Sequence, residues 1–379
     1  MKVEFNKLSI GNNELSNLRS AMDGSPLQGG GRFLSQCEIR IAQITKANNV
    51  LLTTSGTSSL DICAYLCNIK AGDEVIVPAY TFVSSVNAFV SRGAKPVFCD
   101  VVPDTLNIDV DMLANLITPR TKVIVVVHYA GVACDMDKIM TLAKAKNILV
   151  VEDSAQAFNA YYKGVHLGTI GQLGAISFHS TKNVIAGEGG ALLVNSQNLI
   201  SRANYIREKG TNRVDFVNGK IDKYTWVDYG GNFIPSELTA AFLSAQLERV
   251  DTLTKHRVSA WNYYAENLKE LESTGKLSLC KIPSYACSNG HIFYVYTNSE
   301  QTTMALKSYL QENGIVALSH YTPLHKCPMA LKLSGGELPV LPVTEKMASS
   351  MLRLPMYADI TKTEQDYVCE KIVNFFDKL

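Results

Sequence analysis

The sequence contains neither a long apolar run nor an excess of charge of one sign. Its most apolar stretch, residues 122–129, is far shorter than the roughly 20 residues that span a bilayer. The formal net charge is +1, and no segment is basic enough for a nucleic-acid footprint. We therefore expect no membrane span and no nucleic-acid partner. The first seven residues lack the apolar core of a signal peptide, which predicts a cytoplasmic protein.

Clustered cysteines are also missing, although nine cysteines are present. No C-x-x-C pair occurs, and only Cys63 and Cys67, one helical turn apart, could hint at a metal. The favoured interpretation is that the cysteines are small buried hydrophobes kept reduced, so we predict no metal or iron–sulfur site. The glycine-rich run at residues 186–191 does not match G-x-G-x-x-G in a strand-to-helix turn, which disfavours a dinucleotide site.

Short β-branched runs alternate with amphipathic helices between residues 50 and 191. The runs are apolar throughout, which favours a mainly parallel sheet covered on both faces. Residues 236–268 predict one long helix or two in succession, and residues 292–296 and 316–318 predict short strands among helices. We expect an α/β fold with a large domain at residues 1–248 and a smaller α+β domain at residues 249–379.

Three short segments could carry chemistry, although each has a structural alternative. Asp153 ends an apolar strand, where ligands bind in open α/β sheets, but it could equally cap a helix. Lys182 follows a short strand, where most lysines are merely solvated. Residues 53–59 are small and hydroxyl-rich before a helix, which suits an anion site but also an ordinary N-cap.

Together the three segments match the needs of pyridoxal 5′-phosphate (PLP). The phosphate requires an anion site, the pyridine nitrogen requires a carboxylate, and the aldehyde requires an amine. The hydroxyl-rich helix start, Asp153 and Lys182 supply these three groups in order along the chain.

The sequence resembles the sugar-nucleotide aminotransferases of the DegT/StrS family. The matching stretches are SGTSSL at 55–60, PAYTF at 78–82, EDSAQ at 152–156, SFHSTK at 177–182, GEGG at 187–190 and HYTPLH at 320–325. This resemblance implies a PLP-dependent transferase of fold type I (aspartate-aminotransferase-like), active as a homodimer with shared active sites.

The resemblance also implies roles for individual residues. Lys182 and Asp153 would be catalytic, one capturing the cofactor aldehyde and the other holding the pyridine nitrogen. The other implied cofactor contacts are Gly56, Thr57, Ser177 and the partner subunit's Asn232 at the phosphate, Phe82 and Ala155 on the ring faces, and Gln156 beside the ring hydroxyl. His320 and Tyr321 fall where the family lines the sugar site, and Tyr224 is a weaker candidate for substrate contact.

Three further stretches resemble the subgroup acting on dTDP-4-dehydro-6-deoxy-D-glucose, at residues 128–134, 207–213 and 222–226. They imply transfer of an amine from L-glutamate to give a dTDP-4-amino-4,6-dideoxyhexose for polysaccharide or O-antigen assembly. Departures at His179, Thr322 and Ile234–Pro235 leave open another keto nucleotide-sugar, such as a 3-keto dTDP-sugar or a UDP-4-keto sugar. A non-catalytic regulatory protein of this fold is a remote alternative, because Lys182 and Asp153 are both present.

Overall fold

The computed structural model describes residues 1–24 and 27–378. Its strands are β1 (Val50–Thr53), β2 (Glu74–Pro78), β3 (Lys95–Cys99), β4 (Thr121–Val127), β5 (Leu149–Asp153), β6 (Tyr161–Tyr162), β7 (Val165–His166), β8 (Leu173–Ser177), β9 (Gly190–Val194), β10 (Ser278–Leu279), β11 (Ala286–Cys287), β12 (Tyr294–Tyr296) and β13 (Met351–Arg353). Its helices are α1 (Asn13–Gly24), α2 (Arg32–Thr45), α3 (Gly56–Leu66), α4 (Ser84–Val90), α5 (Val110–Leu116), α6 (Met136–Lys146), α7 (Ile200–Arg207), α8 (Arg213–Val217), α9 (Glu237–Glu248), α10 (Val250–Ser273), α11 (Glu300–Glu312), α12 (Pro328–Ser334), α13 (Pro342–Ser350) and α14 (Lys362–Phe376).

The largest sheet has seven strands in the order β1-β9-β8-β5-β4-β2-β3. Strand β9 runs antiparallel to both neighbours, and the other ladders of this sheet are parallel. Alternate residues of β4 enter different cores, with Val123 and Val125 on one face and Ile124 and Val126 on the other. Burial on both faces explains the unbroken apolar runs, and the predicted mainly parallel α/β fold is confirmed.

A second, three-stranded sheet has the order β10-β12-β13 and is packed by α10, α11 and α14. Its core also takes in Val3, Tyr80 and Tyr129 from the N-terminal half of the chain. Strand β13 therefore lies beside the large sheet rather than apart from it. The division at residues 248 and 249 stays a prediction, and it falls at the junction of α9 and α10.

One local expectation needs correction. Residues 316–318 form no ladder strand, and only an isolated bridge joins Leu318 to Arg353. The segment at residues 210–226, which carries no strong periodic pattern, contains the short helix α8. Strand β9, the last of this sheet in chain order, lies inside the sheet, between β1 and β8.

Two global features bear on the predicted exclusions. Across the described part of the chain, no helix has both the length and the apolar character needed to cross a membrane. Seven of the nine cysteines are buried, Cys327 is half-buried and Cys287 is exposed, and all nine are free thiols.

Candidate active site

A cavity of about 650 Å³ lies where the carboxyl ends of β5 and β8 face the small sheet. Ten of the residues predicted to form the site line it: Gly56, Thr57, Phe82, Asp153, Ala155, Gln156, Ser177, Lys182, His320 and Tyr321. A depression of about 720 Å³ around Tyr161, His166 and Gln172 contains none of the predicted residues. The smaller cavity is therefore the candidate active site.

Asp153 ends β5 and is held in one orientation. Its Oδ2 accepts a hydrogen bond from Ser85 Oγ at 2.6 Å, and its Oδ1 accepts one from the Ala155 N–H at 3.1 Å. Both carboxylate oxygens thus act as acceptors, which suits an ionised group. The side chain is 5% exposed and reaches the cavity, where it can meet a ligand nitrogen that carries a proton.

Lys182 lies in the turn after β8 and lines the same cavity. Desolvation lowers the pKa of its amine to about 8, the Asp153 carboxylate opposes this shift, and Arg353 adds to it. An amine with such a pKa is neutral near pH 7 in a far larger fraction of molecules than an ordinary lysine, and only a neutral amine can attack an aldehyde. Lys182 therefore has the environment that a nucleophilic lysine needs.

The start of α3 forms one end of the cavity. Ser55 caps the helix by accepting a hydrogen bond from the Ser58 N–H at 3.0 Å, which leaves the N–H groups of Gly56 and Thr57 for a ligand. A Cβ at Gly56 would lie 2.9 Å from the Cβ of Ser177, so a side chain there would clash. The glycine keeps this end open and lets the backbone approach an anion closely.

The two residues predicted to flank the cofactor ring both line the cavity. Phe82 is 55% exposed, so it is not a core residue. Its ring centroid lies 6.0 Å from that of Tyr321. Ala155 lies two residues after Asp153, and its small side chain leaves room for a flat ring.

Gln156 connects the segment after β4 to the segment after α11. Its Oε1 accepts a hydrogen bond from the Ala130 N–H at 2.7 Å, and its Nε2 donates one to Tyr321 Oη at 2.9 Å. The amide is thus oriented before any ligand binds.

His320 is a cavity residue rather than a surface histidine. Its ring stacks on Tyr321 with centroids 3.6 Å apart, and its Nδ1 lies 2.6 Å from Tyr129 Oη. Burial, Arg353 and Lys182 hold the pKa of His320 far below its usual range, whereas burial raises that of Tyr129. With Tyr129 donating to Nδ1, the neutral imidazole carries its proton on Nε2 and can donate there.

Two predicted residues do not line this cavity. Asn232 forms a backbone bridge with Glu208, and Tyr224 packs on Phe216 with ring centroids 5.8 Å apart. Asn232 was expected to act from a second subunit, so its role stays a prediction. The role of Tyr224 also stays a prediction.

Several residues at or behind the cavity were not anticipated from the sequence. Ser85, which lies on α4 and orients Asp153, does not line the cavity itself, whereas Arg353, at the end of β13, does. The buried His291 lines the cavity and its Nδ1 lies 2.8 Å from Asn183 Oδ1. These residues carry no local motif, and only the tertiary fold brings them to the site.

The residues present fit PLP: an oriented carboxylate, a desolvated lysine and an open helix start share one cavity. With the seven-stranded sheet, they define the class as PLP-dependent aminotransferases of fold type I. A model of the DegT/DnrJ/EryC1/StrS aminotransferase family matches residues 8–373. The chain belongs to this family.

The sequences of two curated relatives align with more than nine-tenths of the chain. A pleiotropic regulatory protein of Geobacillus stearothermophilus is 33% identical over 348 residues, 91% of this chain and 90% of that protein. A GDP-perosamine synthase of Caulobacter vibrioides is 31% identical over 363 residues, 94% of this chain and 93% of that protein.

Solved structures share the fold over their full length. An aminotransferase from Psychrobacter cryohalolentis has a TM-score of 0.93 at 28% identity, covering 99% of each chain. The PLP form of the sugar aminotransferase Spr1654 from Streptococcus pneumoniae has a TM-score of 0.90 at 24% identity, covering 100% of this chain and 99% of that one. The protein is a PLP-dependent sugar-nucleotide aminotransferase that uses an amino donor.

Proposed function

We propose that the protein transfers the amine of L-glutamate to dTDP-4-dehydro-6-deoxy-D-glucose and forms a dTDP-4-amino-4,6-dideoxyhexose. The observation that carries this choice is the resemblance of residues 128–134, 207–213 and 222–226 to the subgroup that acts on this sugar. The first of these stretches contains Tyr129, which contacts His320 in the cavity. The proposed sugar-reading segment is thus connected to the site.

The residues divide the work as follows. Bound PLP would supply an electron sink that stabilises the negative charge left on carbon when a proton is removed during amine transfer. Asp153 holds the proton on the ring nitrogen, and Ser85 and the Ala155 N–H keep its carboxylate aimed. Lys182 Nζ moves the proton between the cofactor and the substrate carbon as general base and acid. Gly56, Thr57 and Ser177 bind the phosphate.

His320 and Tyr321 bind the sugar in this proposal. Neutral His320 donates from Nε2 to a sugar oxygen, and Tyr129 fixes that tautomer by donating to Nδ1. Tyr321 is held by Gln156, so the wall that contacts the sugar is tied to the cofactor side of the cavity.

The active form is proposed to be a homodimer whose subunits share their sites. Large apolar side chains are exposed near the rim, on α8 and on the segment after α8: Phe82, Val83, Phe216, Val217, Tyr224, Trp226, Val227 and Tyr229. Exposed apolar groups in such numbers favour contact with a second copy. That contact would bring the partner subunit's Asn232 to the phosphate.

The sharing can be tested with hybrid dimers of Lys182→Ala and Asn232→Asp chains. If Asn232 acts across the interface, one site of each hybrid has both residues intact, and mixing restores activity lost in each parent. If it acts within its own chain, no hybrid site is intact and mixing restores nothing. Trp226→Asp, with Val340→Asp as an equally exposed control, should yield monomers in sedimentation velocity only for Trp226→Asp.

Substrate choice is tested by incubating the holoenzyme with glutamate and one keto nucleotide-sugar at a time, measuring 2-oxoglutarate. The dTDP-4-keto sugar should give the highest kcat/KM, and Lys182→Ala should give none. Product NMR then assigns the glucose or galactose configuration. The name of the 31% identical GDP-perosamine synthase favours a GDP-4-keto sugar as the second candidate, and a higher kcat/KM with that sugar would refute the dTDP proposal.

A further inference from the structure

The turn that carries Lys182 is held by hydrogen bonds on both sides of this residue. On one side, the Lys182 N–H donates to the carbonyl of His179 at 2.9 Å. On the other side, Asn183 donates from Nδ2 to the carbonyl of Asn289 at 3.0 Å. Asn183 is only 9% exposed, so its amide depends on protein partners rather than on water.

The other end of the Asn183 amide fixes the tautomer of His291. Because Nδ2 of Asn183 donates to a carbonyl, the atom that lies 2.8 Å from His291 Nδ1 is the acceptor Oδ1. The imidazole therefore carries its proton on Nδ1 and its lone pair on Nε2. Burial, and after it the charge of Lys182, holds the pKa of His291 far below its usual range, so the ring stays neutral.

His291 is itself fixed by the loop that precedes β12. Its backbone N–H donates to Asn289 Oδ1 at 3.1 Å. Asn289 Nδ2 in turn donates to the carbonyls of Gln156 and Phe158, at 3.0 and 2.8 Å. This buried chain of hydrogen bonds joins the turn of the reactive lysine to the segment after β5 that contributes Gln156 to the cavity.

We propose that His291 is a positioning residue, which holds the Lys182 amine in place through its hydrogen bond to Asn183. The inference rests on the proposed role of Lys182 as base and acid, and not on which nucleotide sugar accepts the amine. The amine ends a flexible four-carbon chain, so a tilt of the turn moves it further than it moves the backbone. A displacement of about 1 Å at the reacting atoms can lower a rate about 100-fold.

Two substitutions at residue 291 separate positioning from direct contact with a ligand. His291→Asn keeps an N–H donor where Nδ1 lies, whereas His291→Gln extends its amide to the place of Nε2 and leaves Asn183 Oδ1 without a donor. The assay is a single turnover of the PLP form with L-glutamate, the proposed donor, followed by cofactor absorbance.

The two variants should differ in rate and not in binding. His291→Asn should stay within about threefold of the wild-type rate, and His291→Gln should lose about 10- to 100-fold. PLP content and the Kd of glutamate should change less than about twofold in both. His256→Gln, at an exposed position of α10, is the matched control and should behave as wild type.

A double-mutant cycle tests whether the two side chains act as a unit. Asn183→Ala should lose as much rate as His291→Gln, and the double variant should lose no more than either one. Glutamate deuterated at Cα should slow His291→Gln at least as much as wild type, since the loss falls on the proton transfer by Lys182. Additive losses, or a loss seen only in the KM of a substrate, would refute positioning.

The tautomer gives a readout that is independent of turnover. The chain has seven histidines, so ¹⁵N-histidine NMR of the resting enzyme can identify the His291 ring by its absence in His291→Asn. Nδ1 should be protonated and Nε2 bare from pH 6 to pH 9. A proton on Nε2, or an active His291→Gln beside an impaired His291→Asn, would overturn the proposal. Failure of the proposed function is distinct, because the half-reaction would then survive in Lys182→Ala.

Discussion

The lowered pKa of Lys182 leads to a quantitative prediction about cofactor capture. At a pKa of about 8, about 9% of the amine is neutral at pH 7, against about 0.04% for a lysine at the usual value near 10.4. The fraction able to attack the aldehyde is thus about 200-fold larger. The rate of PLP capture by the apoenzyme should rise about tenfold per pH unit below pH 8 and level off above it.

The assay is stopped-flow absorbance at fixed PLP from pH 6 to 10, with Nα-acetyl-lysine as a reference amine that reports the titration of PLP itself. Lys182→Ala should lack the capture phase. Two substitutions should move the midpoint in opposite directions, since Arg353 lowers this pKa and Asp153 raises it. Arg353→Gln should shift the midpoint to higher pH and Asp153→Asn to lower pH. A wild-type rate that still climbs tenfold per unit at pH 9 would refute the desolvation argument.

Three other perturbations test separate parts of the structure. Asp153→Asn should lower kcat at least about 100-fold with PLP still bound, as measured by steady-state kinetics and cofactor content. Ser85→Ala keeps the carboxylate and should lower kcat far less. The Glu152 carboxylate accepts from four donors, His128 Nε2 and the N–H groups of Gly168, Ile170 and Gly171. In Glu152→Gln the NH2 group would face two of these donors and leave them unpaired, at about 1–3 kcal/mol each. The midpoint of thermal unfolding, measured by circular dichroism, should therefore fall by several degrees. Thr361→Ala should lower the free energy of unfolding by about 0.5–2 kcal/mol, because it removes the capping box of α14, and kcat should not change. An equal loss of stability in the control Thr363→Ala, at an exposed position, would contradict this assignment.

The order and chemistry of the central elements could be predicted from local patterns. Apolar runs mark β4 and β5, and a strand that ends in an acid marks Asp153 as a residue at the binding edge. The hydroxyl-rich segment before α3 signals a helix start with free N–H groups. These features depend on residues close together in the sequence, so periodicity and capping chemistry suffice to find them.

Other features depended on packing that no local pattern encodes. Phe82 could have been a core residue, and it is a cavity residue because no element among residues 1–24 and 27–378 covers it. Residues 316–318 looked like a strand, but only Leu318 pairs, through one bridge to Arg353. Tyr224, the weaker candidate for substrate contact, packs on Phe216 and does not line the cavity of its own chain, so its role stays a prediction.

The sequence by itself determined the fold class, the family and the three groups that PLP requires, because each is written in a short segment with its own spacing. Only the tertiary structure decided that the Lys182 amine is desolvated and that the charge of Arg353 has no carboxylate partner among the described residues. A pKa and an ion pair depend on which distant segments pack together, and here the small sheet closes over the ends of β5 and β8.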